Sequence, residues 1–250
     1  MAQYALLVVL VIGAALSANW SQVVSVFFRG DLMVSTLDDQ LAIAFRNTLA
    51  YTSGAFVVGL VLGTILALMR LSPVGPYRWL STAYVEFFRG LPAIVVLIAF
   101  GLMPLAFPDM EIPFGTYGIV WVALGMVSAA YMSETIRAGI QAVPKGQIEA
   151  ARSLGMPPGR AMRSIVLPQA FRIILPPLTN ELILLTKDSS LVYIIGLSSG
   201  GFELTKLGRE LSQTNANLTP LVVCGLCYLV ITLPLTYLVR RLEAKTGKAR

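Results

Sequence analysis

The sequence has no histidine and only two cysteines among its 250 residues, and charged residues make up only 13% of the chain. Without histidine, the catalytic triads, zinc sites and haem sites that depend on imidazole are excluded. Two cysteines are too few for a disulfide scaffold. Because soluble domains carry about 25% charged residues, the low charge content argues against an ordinary soluble enzyme, a disordered chain and a DNA-binding domain.

Hydrophobic residues dominate instead, at 56% of the chain and a mean hydropathy of +0.75. This composition predicts an all-α fold, a polytopic membrane helical bundle. A helix needs about 20 mostly apolar residues to cross the hydrocarbon core. The candidate spans are 4–18, 48–69, 83–103, 117–135, 164–186 and 220–239, with a short apolar continuation at 191–197. The span 83–103 is interrupted near its start by Glu86, Arg89 and Pro92. These runs are continuous and do not alternate, which favours helices over barrel strands.

The first candidate span, 4–18, is short and therefore marginal. A cleaved signal peptide is the alternative, but the residues before the apolar run contain no lysine or arginine, which favours a retained helix. We therefore divide the chain into an N-terminal helix with an external segment (1–42), a membrane domain (43–240) and a basic tail (241–250).

The distribution of basic residues predicts the orientation of the chain in the membrane. Most of the 19 lysines and arginines fall after the second span, between Arg137 and Arg172, or in the tail, whereas 104–116 carries acidic residues and no basic one. Since basic loops stay in the cytoplasm, the loop after the second span, the segment from Arg137 to Arg172 and the C-terminal tail are predicted to be cytoplasmic.

An unusually long charged segment separates two of the spans, from Arg137 to Pro168. Within it, 147–154 is typical of a short helix, with Glu149 near its start and Arg152 near its end, as the helix dipole favours. Gly155 and the prolines that follow end this helix. The segment predicts a docking helix on the cytoplasmic side; a surface loop with an incidental helix is the alternative.

The residues of this segment resemble a known motif. Glu149-Ala150-Ala151, followed by Gly155 and then by Ile165 and Leu167-Pro168, is similar to the EAA motif of the permease subunits of ABC importers. The runs 87–90, 143–147 and 187–191 (FFRG, VPKGQ and KDSSL) resemble the polar amino acid uptake branch of that family. The resemblance extends over 43–240 and rests on an ordered set of motifs.

The resemblance implies a type I ABC importer permease fold with five core helices, to which the first segment adds an N-terminal helix. It also implies that a coupling helix near 146–155 docks into a separate ATPase. The residues expected to act in this coupling are Glu149, Ala150, Ala151 and Gly155, with Gly155 providing a left-handed turn. The chain has no phosphate-binding loop. It should therefore hold no cofactor or metal itself, and ATP and magnesium should bind to the partner ATPase.

The same resemblance implies the partners and the location of the chain. It predicts ABC ATPase subunits, an extracytoplasmic amino-acid-binding protein and a second permease, either identical or homologous, in a prokaryotic plasma membrane. Lipid is the surrounding medium, and nucleic acid is not an expected partner. The substrate class implied is a polar amino acid, with acidic, amide and basic ones all open.

Ionisable residues at membrane depth are costly and usually functional or paired, so they are candidates for the substrate pathway. We select Glu134, Asp188 and Arg89, with Asn180 as a neutral partner, from a larger set that includes Glu86, Arg137, Glu181 and Lys187. The three charged residues each have a structural alternative. Arg137 could neutralise Glu134 three residues away, Asp188 could form a gate or interface ion pair, and Arg89 could reach the membrane surface.

Other classes of function account for fewer of these features. A secondary transporter would share the charges at depth but would not need the EAA segment. A membrane-embedded enzyme lacks support because the sequence shows neither histidine nor an obvious metal-ligand cluster. A purely structural scaffold does not explain the charges at depth. Gly59 and Gly63 form a G-x-x-x-G pattern that permits close packing of helices within or between chains.

Overall fold

The computed structural model describes residues 2–109, 112–197 and 199–247, and within these ranges the regular structure is helical. In chain order the α-helices are α1 (Ala2–Ser17), α2 (Trp20–Phe27), α3 (Gly30–Thr36), α4 (Asp39–Leu71), α5 (Gly75–Gly90), α6 (Ala93–Gly101), α7 (Met103–Ala106), α8 (Thr116–Gln141), α9 (Lys145–Ser153), α10 (Pro158–Ala161), α11 (Leu167–Asp188), α12 (Leu204–Thr214) and α13 (Thr219–Gly247). A π-helical stretch (Met162–Val166) precedes α11, and 3-10 turns (Ser189–Ile195 and Ser199–Gly201) follow it.

Several of these helices are long and apolar enough to cross a membrane, which makes the chain a multi-pass membrane protein. Among the described residues, α4, α8 and α13 meet this condition as single helices. Two bent pairs meet it only when taken together, a geometry shared by broken spans and re-entrant loops: Leu6–Ser17 with Trp20–Thr36, bent by 75°, and α5 with α6, bent by 97°. The all-α membrane bundle predicted from the sequence is confirmed.

The N-terminal helices lie on the outside of the bundle. In α1 the side chains of residues 6–10, Ile12 and Leu16 are largely exposed, as lipid-facing residues are. The connection between α2 and α3 is tied to the start of α13, where Leu218 N donates to Val26 O at 3.0 Å and Arg29 N to Thr219 Oγ1 at 3.0 Å. Helix α4 then begins at Asp39 because Asp38 caps it, so the predicted boundary at 42/43 falls inside its first turn.

Helices α4 and α8 pack along each other and form the centre of the bundle. A Cβ atom on Gly59 would lie 2.1 Å from Ser128 Oγ, and one on Gly63 would lie 3.0 Å from Ala129 O. The glycine pattern therefore serves close packing inside the chain.

The span predicted at 83–103 is two helices. Helix α5 ends at Gly90, Pro92 adopts an extended backbone, and α6 leaves at 97° to α5. Proline has no amide hydrogen to continue a helix and disfavours helical geometry in the residue before it, which explains the break. The predicted span at 164–186 corresponds to α11, which keeps Pro176 and Pro177 in its interior. The apolar continuation at 191–197 is mostly a 3-10 helix.

Candidate functional site

A cavity of about 310 Å³ opens between α8, α11 and the break between α5 and α6. Its walls are mostly apolar, and the polar groups that line it come from Ser128, Tyr131, Glu181 and Asp188. A concave, largely apolar space with a few converging polar groups is typical of a small-molecule site. The broken helix contributes Leu91, Pro92 and Ala93 to the wall.

The spacing along α11 explains which charged residues reach this cavity. Glu181 and Asp188 are seven residues apart, which places them two turns apart on one face of the helix. Both line the cavity, and both are partly buried. Asn180, by contrast, is exposed and is not among the lining residues. The structure therefore brings Asp188 together with Glu181 and leaves Asn180 on another face.

The other two predicted pathway residues lie beside the cavity. The Arg89 guanidinium stacks over the ring of Tyr131, 5.6 Å from its centroid. One turn further along α8, Glu134 forms ion pairs with Arg137 (Nη2–Oε2, 2.7 Å) and with Arg70 at the end of α4. The neutralisation by Arg137 considered from the sequence is thus present, with Arg70 as a second partner.

The predicted docking helix is present as α9, which begins at Lys145, two residues earlier than expected. Pro144 is its N-cap residue, with φ −58° and ψ 129°, and the next residue starts the helix. Glu149 therefore lies in the second turn of the helix. The end of α9 is a Schellman motif, in which Gly155 N donates to Arg152 O at 2.9 Å and Met156 N to Ala151 O at 3.0 Å. Gly155 has φ +78°, which confirms the predicted left-handed turn.

Helix α9 presents one face to the protein and another to the outside. Ile148 packs against the main hydrophobic core and Ala151 is only 3% exposed, so these side chains attach the helix to the bundle. Glu149 and Ala150 are exposed, and the side chain of Leu154 is 88% exposed. Of the two alanines of the motif, Ala151 is therefore buried and Ala150 is exposed, and an apolar projection formed by Ala150 and Leu154 is available to a partner. Their predicted role in coupling stays a prediction.

A polar network that the sequence did not reveal closes the predicted external end of the bundle. Asn47 Nδ2 donates to Gly200 O and Phe202 O, both at 2.9 Å, and Tyr117 Oη donates to Asn47 Oδ1 at 2.6 Å. Tyr51 Oη donates to Gly201 O at 2.9 Å. The bonds from Asn47 and Tyr51 hold the loop before α12 against α4, and the bond from Tyr117 links α8 to α4.

Glu203 follows this loop as the N-cap residue of α12, and its side chain is fully buried. Its carboxylate accepts hydrogen bonds from Thr205 N at 2.5 Å, Lys206 N at 2.7 Å and Tyr228 Oη at 2.8 Å. Burial raises the pKa of Glu203 to about 7, which outweighs the opposing effect of these donors. The sequence carried no N-cap signal here, because glutamate is not among the residues that N-cap positions prefer.

Comparison with known proteins places the chain in a family. Residues 59–248 match the family described as binding-protein-dependent transport system inner membrane component. The chain belongs to this permease family. It is a transport subunit and not an enzyme, and the resemblance seen in the sequence is confirmed.

Relatives and a solved structure match the permease over most of its length. It is 40% identical over 191 residues to the arginine transport system permease protein ArtQ of Bacillus subtilis, covering 76% of this chain and 84% of the relative. It is 37% identical over 205 residues to the glutamate/aspartate import permease protein GltK of Escherichia coli O6:H1, covering 80% and 90%. A crystal structure of an amino acid ABC transporter with histidines superposes with a TM-score of 0.72 at 36% identity, covering 82% and 94%. The permease fold predicted from the resemblance is confirmed.

Proposed function

We propose that this permease imports a cationic amino acid, with arginine as the first candidate. The charges of the cavity carry this proposal: among the described residues that line it, the charged ones are Glu181 and Asp188. Arg89 stands at the edge over Tyr131 and can hold the α-carboxylate of the substrate. One carboxylate of the cavity then receives the α-ammonium group, and the other remains for a positive side chain.

The cost of unpaired charge argues against an acidic substrate. A second negative group in this cavity would face carboxylates of the same sign in a partly buried space, and unpaired buried charges cost several kcal/mol. The relatives include a permease named for arginine and one named for glutamate and aspartate. The family alone therefore leaves the substrate open, and the cavity charges favour the cationic class.

We further propose that α9 couples the permease to a separate ATPase. The exposed projection of Ala150 and Leu154, with Glu149 beside it, fits a shallow groove on another protein. The chain has no phosphate-binding loop of its own. A complete importer would then contain two permease subunits, two ATPase subunits that bind ATP and magnesium, and an amino-acid-binding protein on the external side. The basic segments predict that α9 and the C-terminus are cytoplasmic.

Uptake by proteoliposomes tests this function. The permease is reconstituted with its ATPase and binding protein, and labelled arginine and glutamate are supplied with and without ATP. We expect ATP-dependent uptake of arginine in preference to glutamate. Loss of one charge-assisted hydrogen bond costs about 1.5–3 kcal/mol, so Asp188→Asn and Glu181→Gln should each reduce the apparent affinity for arginine by about 10-fold or more.

Glu86→Gln is the matched control, because Glu86 is an exposed carboxylate on α5 outside the cavity lining. It should leave arginine uptake unchanged. Preferential uptake of glutamate would reject the cationic assignment. Uptake driven by an ion gradient without the ATPase would favour the secondary transporter instead.

A further inference from the structure

Three arginines from three helices surround the single carboxylate of Glu134. Arg70 and Arg137 are ion-paired to it, and Arg89 is close enough to act on it electrostatically. The group therefore carries three positive charges and one negative charge. The other contacts of these arginines are uncharged, since Arg137 Nη1 donates to Gln141 Oε1 at 2.6 Å and Arg89 lies over the Tyr131 ring.

Burial makes this excess of positive charge significant. The side chains of Arg70 and Glu134 are each 23% exposed and that of Arg137 is 28% exposed, so water only partly screens them, whereas Arg89 is exposed. Among the described residues, Arg137 Nε is a buried donor with no hydrogen-bond partner. Buried donors are almost always satisfied in native proteins, and partly buried cations favour an anionic ligand.

The position of the cluster relates it to the cavity. Tyr131 lines the cavity, Glu134 follows one turn later on α8, and Arg137 follows one turn after that. At a rise of 1.5 Å per residue, Tyr131 and Arg137 are separated by about 9 Å along the helix. The cluster thus lies between the cavity and the end of α8 that leads into α9. Arg89 belongs to both places, because it contacts Tyr131 and acts on Glu134.

We propose that Arg70, Arg89 and Arg137 form an exit site that receives the α-carboxylate of the substrate as it leaves the cavity towards the cytoplasm. Glu134 occupies the site when no substrate is present, since its carboxylate has the same chemistry as the ligand. The departing substrate passes from Arg89 to Arg70 and Arg137 and displaces Glu134. This inference rests on the proposed function, because it takes an amino acid as the ligand.

Equilibrium binding to the ATP-free permease–ATPase complex, in nanodiscs of zwitterionic lipid, tests the exit site. The probes are labelled arginine and agmatine, which is arginine without its carboxylate. Arg70→Gln and Arg137→Gln should weaken arginine binding about 10-fold and leave agmatine binding unchanged. Glu134→Gln removes the internal competitor and should strengthen arginine binding. Arg137→Lys keeps the positive charge but lacks the planar pair of guanidinium donors, so its affinity for arginine should lie between those of wild type and Arg137→Gln.

The opposite signs of these effects separate a ligand site from a structural ion pair. If Glu134→Gln weakens binding as the arginine variants do, the cluster only holds α4 to α8 and the exit site is rejected. Equal responses of arginine and agmatine would also reject it. If the effects appear only with anionic lipid, or if inorganic phosphate competes with arginine equally well, the site binds phosphate groups and the assignment to substrate is wrong.

Two controls complete the experiment. Arg78→Gln removes an exposed arginine near the predicted cytoplasmic end of α5 and should leave arginine binding unchanged. Co-elution with the ATPase confirms that each variant is assembled. If wild-type permease imports arginine but Glu134→Gln and the arginine variants change arginine binding in the same direction, only the exit site is rejected. Failure of ATP-driven uptake by wild type rejects the proposed function itself.

Discussion

The left-handed turn at Gly155 gives the sharpest test of the proposed coupling helix. Gly155 has φ +78°, and an ideal Cβ atom placed on it would meet no atom within 4 Å. A substitution there costs backbone strain without a clash in the free subunit. For alanine the left-handed conformation costs about 1 kcal/mol, and for the β-branched valine it costs about 2 kcal/mol. Asparagine tolerates this conformation and should cost only a few tenths of a kcal/mol.

These costs convert into the fraction of molecules that keep the Schellman motif at the end of α9. Since about 1.4 kcal/mol is a factor of ten, Gly155→Ala should shift the local equilibrium about 5-fold and Gly155→Val about 30-fold. The strain is confined to the turn, because Ile148 and Ala151 continue to attach the helix to the bundle. Global stability and membrane insertion should therefore change little.

The assay is co-purification of the ATPase with the permease, together with ATP-dependent uptake in proteoliposomes. Both should decrease in the order wild type, Gly155→Asn, Gly155→Ala, Gly155→Val, while the yield of inserted permease stays constant. If Gly155→Asn is as harmful as Gly155→Val, side-chain volume in the docking groove decides the result and the backbone argument is refuted. If all three variants behave as wild type, the turn has no part in coupling.

Three further predictions concern Leu154, Asn47 and Glu203. Leu154→Arg should abolish ATPase co-purification with little effect on melting temperature, because the side chain is 88% exposed in the free subunit, and Leu154→Ala should have a smaller effect. Asn47→Ala should destabilise the bundle by about 2–4 kcal/mol, as measured by thermal unfolding in nanodiscs, because it leaves buried carbonyl groups and a tyrosine hydroxyl unpaired, whereas Tyr117→Phe should cost less. The pKa of Glu203 is raised from 4.5 to about 7 on folding, so its stabilising contribution is complete below pH 4.5 and is lost as the pH rises through 7, by up to about 3 kcal/mol. The melting temperature of wild type should therefore fall from pH 5 to pH 8 more than that of Glu203→Gln, and an equal fall in both would contradict the assignment.

The sequence predicted those features that depend on local chemistry. The short helix predicted at 147–154 is found at Lys145–Ser153, because proline and glycine mark its ends. The turn at Gly155 followed from the conformational freedom of glycine, and the long spans α4, α8 and α13 followed from hydropathy alone. Pro92 marks the interruption of the predicted span 83–103, and the break between α5 and α6 lies there, but the 97° angle between the two helices could not be predicted from the sequence.

The partnerships between residues of different helices could not be predicted, because they depend on how distant helices pack. Arg70 and Glu134 are 64 residues apart, and their ion pair exists because glycines let α4 approach α8 closely. Asn180 and Glu181 are neighbours in sequence, yet only Glu181 faces the cavity, since consecutive residues of a helix point about 100° apart. From the sequence, Glu203 is an ordinary external carboxylate, because its contacts with Thr205 and Tyr228 are known only from the structure.

The proposed steps of transport all involve a single helix. Helix α8 carries Tyr131 at the cavity and Glu134 and Arg137 in the arginine cluster, and it continues into α9 after three residues. The opposite wall of the cavity is α11, which also connects to α9, because the π-helical stretch Met162–Val166 before α11 packs against it. A force on α9 therefore reaches both walls, one through the chain itself and the other through a packing contact beside an irregular helix. Because α9 is joined to α8 by a link of only three residues and meets the α11 side through a packing contact that can slide, we infer that displacement of α9 moves α8 and changes its separation from α11. That separation determines whether Glu181 and Asp188 remain enclosed, so the ATPase would act on the substrate by changing the width of the cavity.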